Sequence, residues 1–194
     1  MGTYLQVVEL HGVAELPPAT RVIYDVHANT AYFDSDGEFV SDFTHLAFEL
    51  TTEGHHLSFE LVDEPAPGAL MARELDLPPG EYLLRCDRVD FPPGGEAFLH
   101  THQGPGIRVL LFGSIHIETQ GAEHDYAPGE AWFETGPDPV YASTHADEPS
   151  AFVRCMVLPR AIQGTPSIRY VRDEDRDRPK SQRYTVFLDE PVQL

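Results

Sequence analysis

Proline and glycine interrupt this chain at short intervals, 17 and 15 times in 194 residues. Proline removes a backbone donor and glycine costs helix stability, so that spacing leaves no room for a helix of three turns. Between the breaks lie short runs rich in β-branched and aromatic residues: 21–26, 45–50, 56–62, 82–86, 107–112, 113–118, 151–158 and 184–188. The runs at 56–62 and 113–118 alternate apolar and polar with period two, the signature of a half-buried strand. Many short strands separated by turn residues predict an all-β sandwich or barrel.

Charge narrows the partners. There are 32 acidic against 13 basic residues, a formal charge of −19. That balance argues against nucleic acid and anionic membrane surfaces, which both require a cationic face. Small molecules and metal ions remain. The acid is uneven: residues 1–80 hold 14 acidic and 2 basic side chains, residues 81–160 hold 12 and 5, and residues 161–194 hold 6 and 6. The breaks coincide with proline-rich stretches at 78–80 and from 159, and suggest three regions. These are an acidic β-rich extension over 1–79 packing on a barrel core over 80–160, then a tail over 161–194 with a final strand. The tail's alternating charges over 173–180 suit a segment that folds back on its own barrel or crosses to a partner, and a homodimer is expected. Cys86 and Cys155 show neither C-x-x-C spacing nor a disulfide-dense pattern. They read as reduced thiols, with Cys155 a small core residue, in a cytoplasmic protein. The first residues carry no basic and apolar leader pattern.

The informative stretch is 91–106, with His100 and His102 two residues apart behind Pro92-Pro93-Gly94-Gly95. Residues i and i+2 of a strand project from one face about 6–7 Å apart at Cα, so both imidazoles can aim at one point. An H-x-H pair taken alone is more often a solvated strand face than a ligand pair. Its surroundings point elsewhere. Gly94, then His100 and His102, then Gly113 at the head of the next strand, together resemble the first motif of the cupin superfamily. The stretch Tyr126-Ala127-Pro128-Gly129-Glu130-Ala131-Trp132-Phe133-Glu134 resembles the opening of that family's second motif, and 151–158 resembles its closing strand. The resemblance covers roughly residues 80–160. It implies a double-stranded β-helix, a jelly-roll barrel with an N-terminal β extension, and a divalent transition metal held by the two histidines.

The ligand set that the resemblance implies is degenerate. The family's glutamate position, four residues after the second His, is Gly106 here, and its second-motif histidine position is Val140. Glu134 is the replacement offered by this chain, because alternation puts it on the face of Trp132. With His100 and His102 it would make a two-His-one-carboxylate set suited to Fe(II), with Ni, Mn, Zn or Cu also admissible. The other reading of Glu134 is a strand end in water. His145 lies in a turn and reads as solvated, and His55, His56 and His116 read as surface residues. Trp132, Phe133 and Tyr141 read as barrel lining.

Arg108 stands in a run, 107–112, that otherwise looks buried on both faces. A buried guanidinium must meet an anion. That anion is Glu134 in an internal pair or an acidic group of a substrate, unless Arg108 sits at an edge and reaches outward. The resulting expectation is a cupin-type metalloprotein acting on a small molecule, of dioxygenase type, with isomerase or lyase chemistry open to the same ligands. The alternative is a non-catalytic cupin that binds a small ligand or serves as a scaffold.

Overall fold

The computed structural model describes residues 2–11, 16, 19–35 and 54–194. The expected strand over 45–50 lies outside the described residues. The chain divides into two compact units, residues 1–80 with Leu194 and residues 81–193. No α-helix occurs among the described residues, and no helix is long and apolar enough to cross a membrane.

The described residues of the first unit form a five-stranded antiparallel sheet. It contains β1 (Tyr4–His11), β2 (Thr20–Asp25), β3 (Thr30–Asp34), β4 (His55–Val62) and β5 (Met71–Glu74), in the order β3-β2-β4-β1-β5. Its central strands bury residues of both parities. Leu5, Val7, Leu57 and Phe59 supply apolar contacts. Glu60 accepts hydrogen bonds from Gln6 and Ser58, each at 2.7 Å, and meets Arg21 at 3.2 Å. Such buried polar groups are tolerated because they satisfy one another. His56 corrects its surface reading: it is buried against Asp25 at 3.3 Å, and burial lowers its pKa.

The second unit contains ten strands. They are β6 (Glu81–Phe91), β7 (Glu96–His102), β8 (Gly106–Phe112), β9 (Ile115–Thr119), β10 (Ala122–Tyr126), β11 (Ala131–Glu134), β12 (Val140–Thr144), β13 (Ser150–Pro159), β14 (Ile168–Tyr170) and β15 (Arg183–Gln193). They form two five-stranded sheets, β10-β9-β12-β7-β14 and β11-β8-β13-β6-β15. Counting β6 to β13 as one to eight, the first sheet holds strands five, four, seven and two, and the second holds six, three, eight and one. That is the jelly-roll order, two Greek keys wound into a double-stranded β-helix. The tail adds one strand to each sheet, and its last strand pairs within its own chain, along β6.

Apolar alternation accounts for the interior. Val89, Phe91, Ile115, Ile117, Trp132, Val140 and Phe152 pack into one cluster, with Trp132 edge-on to Phe152 at 5.2 Å between ring centroids. In β11 and β12 the inward positions are Trp132, Glu134, Val140 and Ala142, so Phe133 and Tyr141 point the other way and do not line the barrel. Cys86 and Cys155 face each other across β6 and β13, both fully buried free thiols.

Candidate functional site

The inner end of β7 carries His100 and His102, both about 5% exposed. Their Nε2 atoms stand 3.2 Å apart with the rings nearly perpendicular. His100 Nδ1 lies 2.7 Å from the Phe98 carbonyl. A carbonyl can only accept, so that nitrogen carries the hydrogen and the neutral ring's Nε2 is bare. His102 Nε2 lies 3.3 Å from Arg154 Nη1, which can only donate, so this Nε2 is an acceptor as well. The remaining His102 hydrogen then sits on Nδ1, 3.4 Å from Ser167 Oγ. Both pKa values are lowered, chiefly by burial, and for His102 further by the cations Arg154 and Arg108. The result is two neutral imidazoles with their lone pairs turned toward one another.

The opposite sheet meets them with charge. Cross-strand register lines up Trp132, Arg108, Arg154 and Asp87 on β11, β8, β13 and β6, and beside that row Glu134, Gly106, Met156, Arg85 and Asp189. Glu134 faces in, 7% exposed. Its Oε1 accepts from Trp132 Nε1 at 2.9 Å, and its Oε2 lies 2.7 Å from Arg108 Nη2. The second contact is a close ion pair set off-line, and neither Nη2 nor Oε2 completes a hydrogen bond there. Arg108 also donates to the Gly106 carbonyl at 2.5 Å. It is fully buried, which lowers its pKa to about 10 against the opposing pull of Glu134. Of the three settings open to Arg108, the structure holds the internal pair with Glu134. Gly106 is the direct partner of Glu134 in the sheet, and a Cβ there would stand 2.6 Å from the Cys155 carbonyl oxygen. The strand approaches too closely for any side chain, and the carboxylate comes in from next door.

Two further buried arginines fall outside the residues that the sequence marks as a site. Arg154 pairs with Asp87 through Nε at 2.6 Å and Nη2 at 3.2 Å. Arg85 holds Asp189 at 2.9 and 2.8 Å and donates to the carbonyls of Thr165 and Ile162 at 2.7 and 3.1 Å. Each interrupts an apolar run, the same signal that marks Arg108. His145 is exposed beside Asp147, away from the pair, and His116 binds Asp125 at 2.7 Å on the outer rim.

A cavity of about 430 Å³ opens above the histidines, entirely within the second unit. Its walls are Val89, Phe91, Ile117, Val140, Ala142 and Phe152, with Tyr170, Tyr184 and Val186 from the tail, and its polar floor is His100, His102, Glu134, Asp87 and Arg154. Two donors bound to one ion at about 2.0–2.1 Å stand roughly 3.0–3.4 Å apart, and the Nε2 pair at 3.2 Å meets that spacing. The third donor does not follow. Glu134 Oε2, 3.6 Å from His102 Nε2, is turned to Arg108, and the Arg154 cation is at 3.3 Å from the same nitrogen. Among the described residues no group of three or more His, Cys, Asp or Glu is set to hold a metal ion. The residues as placed therefore offer two donors where a metal centre uses three or four.

No protein-family profile and no curated protein matches the chain. Among solved structures it is similar to the polyketide cyclase RemF from Streptomyces resistomycificus, at 24% identity and TM-score 0.38 over 45% of this chain and 61% of that one. The match thus spans less than two thirds of the cyclase. A cupin protein from Bacteroides fragilis aligns at 20% identity and TM-score 0.35, over 47% of this chain and 85% of that one. A protein from Thermus thermophilus aligns at 24% and 0.34, over 39% and 75%. At such scores it is the strand order of this chain itself that decides its fold. By that order, with the His pair on the second barrel strand, residues 81–193 have the double-stranded β-helix fold, a cupin-like jelly-roll barrel.

Proposed function

We propose that the second unit binds a small, largely apolar molecule inside the barrel and presents its oxygen-bearing end to the histidine pair. The supporting observation is the cavity itself: an apolar wall closed at the bottom by two neutral imidazoles, the carboxylates of Glu134 and Asp87, and a guanidinium. Pockets of this volume with a few convergent polar groups suit small ligands. The floor also suits proton transfer. His100 Nε2 is a bare acceptor whose ring is held by Phe98, and Glu134 Oε2 keeps accepting capacity beside it. Arg108 serves by holding the Glu134 side chain in place from behind, not by touching the ligand.

Fluorescence titration with phenylnaphthylamine, an uncharged aromatic probe, tests the reading. Saturable one-to-one binding is expected, and Ala142→Trp, which fills the wall, should abolish it. An absence of saturable binding to the unaltered protein would refute it.

A second reading is favoured by one distance, the 3.2 Å between the Nε2 atoms. In it, His100 and His102 hold a divalent transition metal, with Fe(II) the natural choice for a dioxygenase-type reaction, and the ligand supplies the remaining donors. Elemental analysis of untagged protein separates the two. A metal content below about 0.2 equivalents, unchanged by reconstitution, would exclude the metal reading. A stoichiometric content lost in His100→Ala would establish it.

A further inference from the structure

The charged groups around the cavity are unequal in what they have left to give. Arg85 spends its guanidinium on both oxygens of Asp189 and on two carbonyls. Lys180 donates to the carbonyls of Asp175, Arg176 and Arg178 and lies 4.4 Å over the Tyr170 ring. Arg108 does not reach the cavity lining. Arg154 differs from all three. Asp87 takes its Nε and Nη2, while Nη1 points at the floor, where its one hydrogen-bond contact among the described residues is His102 Nε2 at 3.3 Å. A guanidinium nitrogen at that position carries two hydrogens, and a single long contact to an imidazole uses one of them.

We infer that the molecule bound in this barrel carries an anionic oxygen, of carboxylate or enolate type, and that Arg154 Nη1 receives it beside the His pair. The inference rests on the reading of the cavity as a small-molecule site and adds the charge of its ligand. Asp87 is the positioning residue: its two-point grip on Nε and Nη2 fixes the fork so that Nη1 alone faces the ligand. The floor favours an anion despite its carboxylates. Asp87 is neutralised by Arg154, Glu134 by Arg108 and Asp189 by Arg85, while both imidazoles are neutral and Lys180 adds one positive charge. The apolar wall lowers the local dielectric and strengthens a charge-assisted hydrogen bond. The ligand is therefore an apolar skeleton with one acidic end, and the chain's large negative charge does not oppose it, because the local balance decides.

The test compares two probes of similar skeleton on the full chain: anilinonaphthalene sulfonate, which carries an anionic oxygen group, and uncharged phenylnaphthylamine. The anion should bind at least about 10-fold more tightly, the worth of one charge-assisted hydrogen bond in a partly buried site. The double substitution Arg154→Met with Asp87→Leu removes the pair without stranding a charge. It should weaken the anion by about 10- to 100-fold and leave phenylnaphthylamine within about 2-fold. Retained binding of the uncharged probe shows that the variant is folded. An anion affinity unchanged in that variant would overturn the inference. Should the variant not fold, displacement of phenylnaphthylamine from the unaltered protein decides. Naphthoate should compete at about one tenth the concentration of naphthalenemethanol, and equal potency would overturn the assignment. Failure of both fluorescent probes to bind the unaltered protein would instead bring down the small-molecule reading on which this inference stands.

Discussion

At the scale of single residues, the barrel interior is governed by charges that cannot be removed one at a time. Glu134 and Arg108 are both buried and face each other at 2.7 Å. Glu134→Gln strands the guanidinium without its counter-charge, and a loss of about 3–5 kcal/mol of stability is expected. Replacing both, as Glu134→Leu with Arg108→Met, should recover most of that loss, and equilibrium denaturation of the three proteins measures it. A double variant no more stable than the single would show that the pair is held by something other than mutual charge. Some of this is legible in the sequence. A lone arginine in an apolar run announces a buried partner, and alternation puts Glu134 on the face of Trp132. Arg154 and Asp87 are harder to read. Val153-Arg154-Cys155 carries the same sign as Ile107-Arg108-Val109, but it lies far along the chain from the histidines that mark the site.

At the scale of elements, register does what local pattern cannot. Arg108, Arg154 and Asp87 lie far apart in the chain and become a single row only through the pairing of β8, β13 and β6. No periodicity within one strand carries that information, since pairing partners are set by topology. The strands themselves are readable from alternation and turn residues. Phe133 is turned outward by the same alternation that puts Trp132 and Glu134 on one face, whereas the orientation of Tyr141 is not readable, because an aromatic residue suits either face of a strand. Gly106 shows how close approach dictates sequence. Its added Cβ would lie 2.6 Å from the Cys155 oxygen and 2.7 Å from Met156 Cγ. Gly106→Ala should cost about 1–3 kcal/mol by overpacking, seen as a lower denaturation midpoint. Gly106→Glu should not install a metal ligand there; a stable variant with newly gained metal would contradict the geometry.

At the scale of the whole molecule, acidification reaches the fold through its histidines before its carboxylates. In the unfolded chain His100, His102 and His56 take protons as pH falls through the ordinary value of 6.5, whereas burial lowers each pKa in the folded protein. Protons thus bind the unfolded state first. The contribution of these three histidines to stability is complete above about 6.5 and declines below it, by up to about 1.4 kcal/mol per pH unit for each until its folded pKa is passed, a decline that the raised pKa of His116 opposes. Denaturation at about pH 7 and about pH 5.5, on either side of the unfolded value, should show the decline, and His102→Gln should reduce its slope. An unchanged slope would show that His102 is not held neutral by the fold. The two thiols that face each other across β6 and β13 answer a different question. Both are fully enclosed, and burial pushes both pKa values up, so neither presents a thiolate to solvent. A water-soluble disulfide reagent should therefore label neither cysteine in the folded protein and both together when the central strands part. Their modification would then act as a clock for barrel opening, and its rate should slow whenever a ligand fills the interior.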